Sequence, residues 1–364
     1  MGFDPLLPPP LLTADLPGIG GRIKQFPEDF EVEEIPAYEP CGTGEYLYLW
    51  IEKRGMGAEF FIRQVARRLG ISPGEVGSAG LKDRQAVTRQ MISVPDVGEE
   101  RLPQLDGEGI RVLRISRHGN KLKPGHLHGN RFRILIRDPV AADERLPPLL
   151  DRLQRQGFAN YYGPQRFGHA GETVQLGLSL LGSSWNAERG TAKAAGRRMP
   201  RAPFLRRLAL SAAQAALFNH YLGRRLQDGL LPTVMAGDVM AKRPFGGLFV
   251  AADVPQEQAR FEAGETVHTG PIFGRKMFAA AHAAAAREAA ALADAGLTTG
   301  AFFGFGKLLQ GTRRHNLVYP DELAAERIAE GVRLTFRLPA GSYATVLLCE
   351  IMKSQTMATE EEAS

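Results

Sequence analysis

Apolar positions along the chain switch between alternating and helical spacing, and each switch predicts an element. Residues 44–51 are β-prone and apolar on both faces, the pattern of a central strand. Phe61, Ile62, Val65, Ala66 and Leu69 then recur at helical spacing, with Arg63, Gln64, Arg67 and Arg68 between them and Gly70 as a stop. Ser72-Pro73-Gly74-Glu75 reads as a capping box opening a short helix. Residues 81–90 read as a loop feeding a strand at 91–94. The stretch 131–137 alternates, so Phe132, Ile134 and Ile136 share one strand face while Arg131 and Arg133 point the other way. Further on, a long helix is predicted from about residue 204 to 226, ending at Asp228-Gly229. Short strands and turns fill 231–275, and 279–295 is a helix by alanine content alone. Val332, Leu334, Phe336 and Leu338 alternate with Arg333, Thr335 and Arg337 as a half-buried strand should, and 343–348 is also strand-like.

Residues 1–20 are rich in proline and leucine without periodicity and read as an irregular arm. From about 183 to 196 the chain is polar and small, resembling a linker or flexible loop. A mixed segment interrupting a β-rich frame reads as an inserted domain, and the tail carrying Glu360-Glu361-Glu362 reads as disordered. No internal repeat is present. A length of 364 residues suits two domains or three, and an apolar fraction of 44% with 23% charged residues is that of a globular chain. No apolar run is long enough to span a membrane, and the N-terminus lacks the build of a signal peptide. Cys41 and Cys349 alone make neither a disulfide framework nor a cysteine-rich zinc site, so the expected setting is the cytoplasm.

The net charge of +5 says little, but its distribution says more. Between Arg111 and Arg137 lie eight basic residues and no acid, with His118, His126 and His128 in the same run. A second cluster comprises Lys193, Arg197, Arg198, Arg201, Arg206 and Arg207. Such local excess points to a polyanion-binding surface, with a strand face balanced by distant acids as the bland alternative. In Gly80-Leu81-Lys82-Asp83-Arg84-Gln85, one carboxylate is flanked by two cations. At the floor of a basic cleft it would suit attack on a sugar carbon or stabilisation of an oxocarbenium-like centre; in an exposed turn it would be an ion-pair cluster. In residues 158–168, aromatics alternate with Asn160, Gln165 and Arg166, which fits either a base-binding pocket or a tight turn with two core tyrosines. His126-x-His128 has no acid or cysteine close by in sequence, so no metal site is expected.

Taken in order, these strings resemble the TruD family of tRNA pseudouridine synthases. The resemblance runs from Arg22–Glu34 through 80–90, 118–132, 160–168 and Thr269-Gly270-Pro271-Ile272-Phe273-Gly274 to 338–345, nearly the whole chain. It implies an α+β fold: a pseudouridine synthase catalytic domain with a mixed central sheet, plus an inserted α/β family-specific domain. The catalytic domain would span 21–186 and 318–354, the insert 187–317, and the acidic tail 355–364. Asp83 matches the catalytic aspartate, and Lys24 a basic residue expected to pair with it. Phe30, Asn130, Phe132 and Tyr343 match positions expected to contact the target nucleotide, with Asn160 a further candidate. Lys82, Arg84, Tyr162 and Arg166 are expected to support the site, and His118, Lys121, Arg131 and Arg133 to face the RNA backbone. Tyr162 and Tyr343 stand where phenylalanine occurs in many or some members, so each brings a hydroxyl that needs a partner if buried.

The implied reaction is isomerisation of uridine to pseudouridine, at position 13 of tRNA. The resemblance implies no metal, no organic cofactor, no membrane and no obligate protein partner, and a monomer is expected. Two other readings remain at this stage. A non-catalytic RNA-binding or RNA-folding protein would keep the basic face and make no product. A nucleoside or glycoside hydrolase acting through Asp83 would need a second carboxylate, which Glu28, Asp29 or Glu31 could supply.

Overall fold

The computed structural model describes residues 3–80, 82–188, 202–244 and 246–354. Lys193, Arg197, Arg198 and Arg201 of the second basic cluster, the expected linker beyond residue 188 and the tail 355–364 lie outside them.

Among the described residues the strands are β1 (Phe30–Pro36), β2 (Tyr46–Arg54), β3 (Gly77–Ser78), β4 (Val87–Pro95), β5 (Ile110–His118), β6 (Leu127–Arg137) and β7 (Phe158–Ala159), then β8 (Val239–Lys242), β9 (Leu248–Val250), β10 (Thr266–Ile272), β11 (Thr312–His315), β12 (Leu317–Val318), β13 (Asp321–Ile328) and β14 (Gly331–Pro339). The helices are α1 (Ala58–Leu69), α2 (Ala142–Gln156), α3 (Glu172–Glu188), α4 (Pro203–Gln227), α5 (Val254–Glu262), α6 (His282–Asp294) and α7 (Ala344–Met352).

The main sheet runs β13-β14-β6-β1-β4-β2-β5, with β3 beside β4. It is mixed: β1 and β4 are parallel and its other pairs antiparallel. Alternation sets which side chains enter the core. Val32, Phe132 and Phe336 lie in register across three strands, and the Phe132 and Phe336 rings stack at 5.2 Å. This end of the sheet packs with α2 and α7 through Leu146, Leu153, Leu347 and Ile351. At the other end Leu47, Leu49 and Ile51 pack on Phe61, Val65 and Leu69 of α1. Between the two apolar clusters the same face carries buried polar residues. Lys53 sits beside Thr88, which sits beside Val32, while Ile51 is opposite Gln90 and Glu34 opposite Asn130.

A smaller sheet, β11-β10-β8-β9, lies against α4, and β7 pairs with β12. Every residue of β10 is buried. The arm is more than loose chain: residues 3–20 form turns, and Thr13 is wholly buried against α7. Glu350 accepts hydrogen bonds from the backbone N–H groups of Leu12 (2.8 Å) and Thr13 (3.0 Å) and from the Thr13 hydroxyl (2.6 Å).

Four readings need correction. Residues 344–352 are helix α7, not a strand; the run is apolar on every side because it is buried nearly all round, and a short apolar run has no period that separates the two states. Helix α5 interrupts what was read as strands and turns, with Asp253 Oδ1 capping the Gln256 N–H at 3.0 Å and Pro255 in the first turn. The polar segment expected from 183 is helical through Glu188. Strand β4 begins at Val87, four residues before the apolar run at 91–94.

Candidate active site

Asp83 lies between β3 and β4, in a segment whose described residues 79–86 carry neither helix nor strand. A cleft of about 630 Å³ opens above it. Lys24, Gln25, Pro27, Lys82, Arg84, Gln85 and Gln165 share its wall with Asp83, together with Gly55, Gly57 and Ala58. Asp83 is the only carboxylate among the described residues lining it. The expected juxtaposition of Lys24, Lys82, Asp83 and Arg84 is therefore present around one cavity. Lys24 adopts a left-handed backbone (φ 59°), and its ammonium lies 4.7 Å from the centroid of the Phe30 ring.

The cleft floor is anchored from two strands. Lys82 Nζ forms a buried ion pair with Glu34 of β1 at 2.8 Å. Lys53 of β2, fully buried, donates to the backbone carbonyl of Asp83 at 2.9 Å and to that of Met56 at 2.6 Å. Burial lowers the Lys53 pKa to about 8; the Asp83 charge opposes this fall and the Lys82 charge adds to it. Sequence reading missed Lys53 and Glu34, although both occupy inward positions of otherwise apolar alternations. It also missed Gln25 and Gln85, which neighbour Lys24 and Arg84, whereas Gln165 of the 158–168 string does line the cleft.

The nucleotide-contact candidates separate into distinct environments. Phe30 and Phe132 are core rings, 1% and 6% exposed, meeting edge to face at 6.3 Å. Asn130 Oδ1 is buried with no hydrogen-bond partner among the described residues, as are Thr88 Oγ1 and Gln90 Oε1 on the same sheet face. Buried acceptors left unsatisfied by protein are places where a ligand donor gains a full hydrogen bond. Tyr343 caps α7 and meets Tyr162 at 6.0 Å between ring centroids; burial pushes its phenol pKa up. Gly163 permits this approach, since a Cβ there would stand 3.0 Å from the Tyr343 ring.

Asn160 is committed within the protein. Its backbone N–H bonds the Asn316 carbonyl at 2.9 Å and its side-chain N–H the His315 carbonyl at 2.9 Å. Arg314 donates to its carbonyl (2.9 Å) and to its Oδ1 (2.6 Å). Arg166 turns to Ser211 of α4 and to the Tyr162 ring.

The basic strand run is balanced in space. Arg131 pairs with Glu33 (3.2 Å), Arg133 with Glu31 (3.9 Å), Arg117 with Asp96 (2.6 Å) and Arg137 with Asp29 (2.7 Å). Glu31 and Glu33 on the neighbouring strand β1, with Asp29 and Asp96 just outside the strands, supply what the linear run lacks. His118 stacks on Tyr38 at 5.2 Å, and Lys121 donates to the Gly74 carbonyl. His126 Nδ1 meets the Tyr38 hydroxyl at 2.9 Å. Glu28 pairs with Arg54, and Glu31 also lies 3.4 Å from Arg89. All three acids considered as a second glycosidase carboxylate, Glu28, Asp29 and Glu31, are thus paired with arginines, and none is among the residues lining the cleft.

A mixed sheet with one carboxylate set among cations and amides in its central cleft defines a class that comparison makes specific. The family model described as tRNA pseudouridine synthase D (TruD) matches residues 9–190 and 186–351. A tRNA pseudouridine synthase D of Anaeromyxobacter sp. (strain Fw109-5) is 44% identical over 345 residues, covering 95% of this chain and 96% of its own. One from Thermus thermophilus is 41% identical over 349 residues, covering 96% and 93%. A crystal structure described as TruD from Methanosarcina mazei superposes with a TM-score of 0.73 at 25% identity, covering 94% of this chain and 95% of that one. The chain belongs to the TruD family of tRNA pseudouridine synthases and is an enzyme of the isomerase class. Among the described residues no helix is long and apolar enough to cross a membrane.

Proposed function

We propose that this chain converts uridine to pseudouridine at position 13 of tRNA, with Asp83 acting at the ribose C1′ region of an extruded nucleotide. The observation that carries the reading is Asp83 as the one carboxylate among the described residues of a cleft whose polar lining is otherwise cations and amides. A base inside folded RNA must leave its stack to expose C1′, at a few kcal/mol. Stacking on aromatic rings and contacts to phosphate offset that requirement. The N1–C1′ bond breaks, the uracil turns, C5 bonds to C1′, the C5 hydrogen leaves to solvent and N1 takes up a proton. Asp83 serves this either by attack on C1′ or by removing a ribose proton to open a glycal-like route. Lys24 and Arg84 line the same cleft and supply positive charge beside the carboxylate. In this reading Asn130, with its unfilled buried acceptor, and the Tyr162–Tyr343 pair contact the extruded nucleotide, although none of the three is among the residues lining the cleft.

The domain reading goes with this. Residues 21–186 and 318–354 form the catalytic domain, supported by the pairing of β14 with β6 across the intervening chain. Residues 187–317 form the inserted family-specific domain, supported by the separate β8–β11 sheet. The enzyme acts in the cytoplasm as a monomer.

The test uses tRNA transcript carrying tritium at uridine C5. Release by the wild type, abolished in Asp83→Asn while tRNA binding persists, is the expected result. Salt-sensitive binding with no release from any tRNA would favour the RNA-binding reading, and free uracil among the products the hydrolase reading.

A further inference from the structure

Strand β2 sends Leu47, Leu49 and Ile51 into the core, and the next inward position is Lys53. An ammonium at such a place is costly unless its donors are engaged, and an apolar side chain of similar volume would fill the space more cheaply. What Lys53 does there is hold two carbonyls, those of Met56 and Asp83. The first belongs to its own turn. The second belongs to a segment that has no ladder or helix of its own, at the residue whose carboxylate faces the cleft. The adjoining Lys82 is fixed by Glu34, so the chain at 82–83 is gripped from β2 and from β1.

We propose that Lys53 is a positioning residue for the isomerisation, fixing the main chain of Asp83 from beneath so that the carboxylate stands at a set height in the cleft. The inference rests on the reading of Asp83 as the group that acts on the ribose. Lys53 touches no substrate; it acts through Asp83. Burial lowers the Lys53 pKa to about 8 and the Asp83 charge opposes that fall, so the ammonium is kept against a desolvation cost.

The test compares Lys53→Met, Lys53→Arg and Asp83→Asn for single-turnover tritium release at saturating tRNA, tRNA dissociation constant and melting temperature. Lys53→Met is expected to lower the single-turnover rate about 10²-fold, the effect of displacing a reacting group by about 1 Å, with the dissociation constant unchanged. Lys53→Arg, which keeps charge and donors, recovers part of the rate; a structural filler would show no such order. Should Lys53→Met fail to fold, Lys53→Gln, able to bond one carbonyl, is expected to show the same loss of rate without loss of binding. A wild-type rate in the folded variant, or parallel loss of rate and binding, overturns the inference. An inactive Asp83→Asn beside a fully active Lys53→Met removes the inference alone, whereas an active Asp83→Asn removes the reading of Asp83 and the inference with it.

Discussion

The guanidinium of Arg314 lies 4.1 Å from the centroid of the Tyr162 ring. The same side chain bonds Asn160 twice and the Gly341 carbonyl at 2.8 Å. One residue of the smaller sheet thus ties together the 160–163 turn and the loop leading to Tyr343. Arg314→Met is expected to destabilise the fold by about 3 kcal/mol through the carbonyls and amide it leaves unpaired. It should also slow tritium release, because the Tyr162–Tyr343 surface loses its anchor. Urea unfolding and single-turnover assays check both; full activity would separate Arg314 from the site.

His268 is fully buried, donating from Nε2 to the Leu231 carbonyl and accepting at Nδ1 from Asn316, each at 2.8 Å. Burial, aided by the Arg225 charge, lowers its pKa to about 3. In the unfolded chain the ring takes a proton near the ordinary value of about 6.5, so between these values the unfolded state binds the extra proton. Stability from this group is complete above about pH 6.5 and declines as pH falls toward 3. Urea midpoints should drop on acidification through that window, and His268→Gln should flatten the decline.

Arg225 and Asp238 form a buried ion pair, with both guanidinium–carboxylate contacts at 2.7 Å. Arg225 further holds the Leu230 and Thr233 carbonyls, and Asp238 takes the Met235 N–H. Asp238→Ala leaves a guanidinium stranded and is expected to cost about 4 kcal/mol in urea unfolding. Removing both charges, as in Arg225→Met with Asp238→Leu, should cost less than the single change.

Thr13→Val removes one of the groups that Glu350 binds and is expected to cost about 2 kcal/mol. Its signature is local. Hydrogen exchange at the Leu12 and Thr13 amides should accelerate first, while tritium release stays close to wild type.

Where one period dominates, the sequence was readable: the alternation at 131–137 became β6, and the spacing from Phe61 to Leu69 became α1. It misread α7 as a strand, where burial on nearly all sides erased the period, and it was silent where a strand is polar because it lies at an edge, as in β13. Asp83 was legible because its neighbours form a dense local string. Lys53 and Glu34 were not, because each is the one charged residue on the otherwise apolar inward face of its strand and its partner across the cleft floor is distant in sequence. The basic run misled in one respect: linear charge density ignores acids on adjacent strands, and Glu31 and Glu33 lie opposite Arg133 and Arg131.

Strand β14 closes on β6, and β13 on β14. During synthesis residues 127–137 leave the ribosome long before 331–339, so the main sheet has one flank open while everything between is made. That flank is a row of unpaired N–H and C=O groups bordered by Phe132 and Ile134, a template for wrong pairing. The arginines and glutamates on the opposite face keep the unfinished sheet wetted on that side. The nascent chain therefore has a defined vulnerable interval, ended only when its last strands arrive.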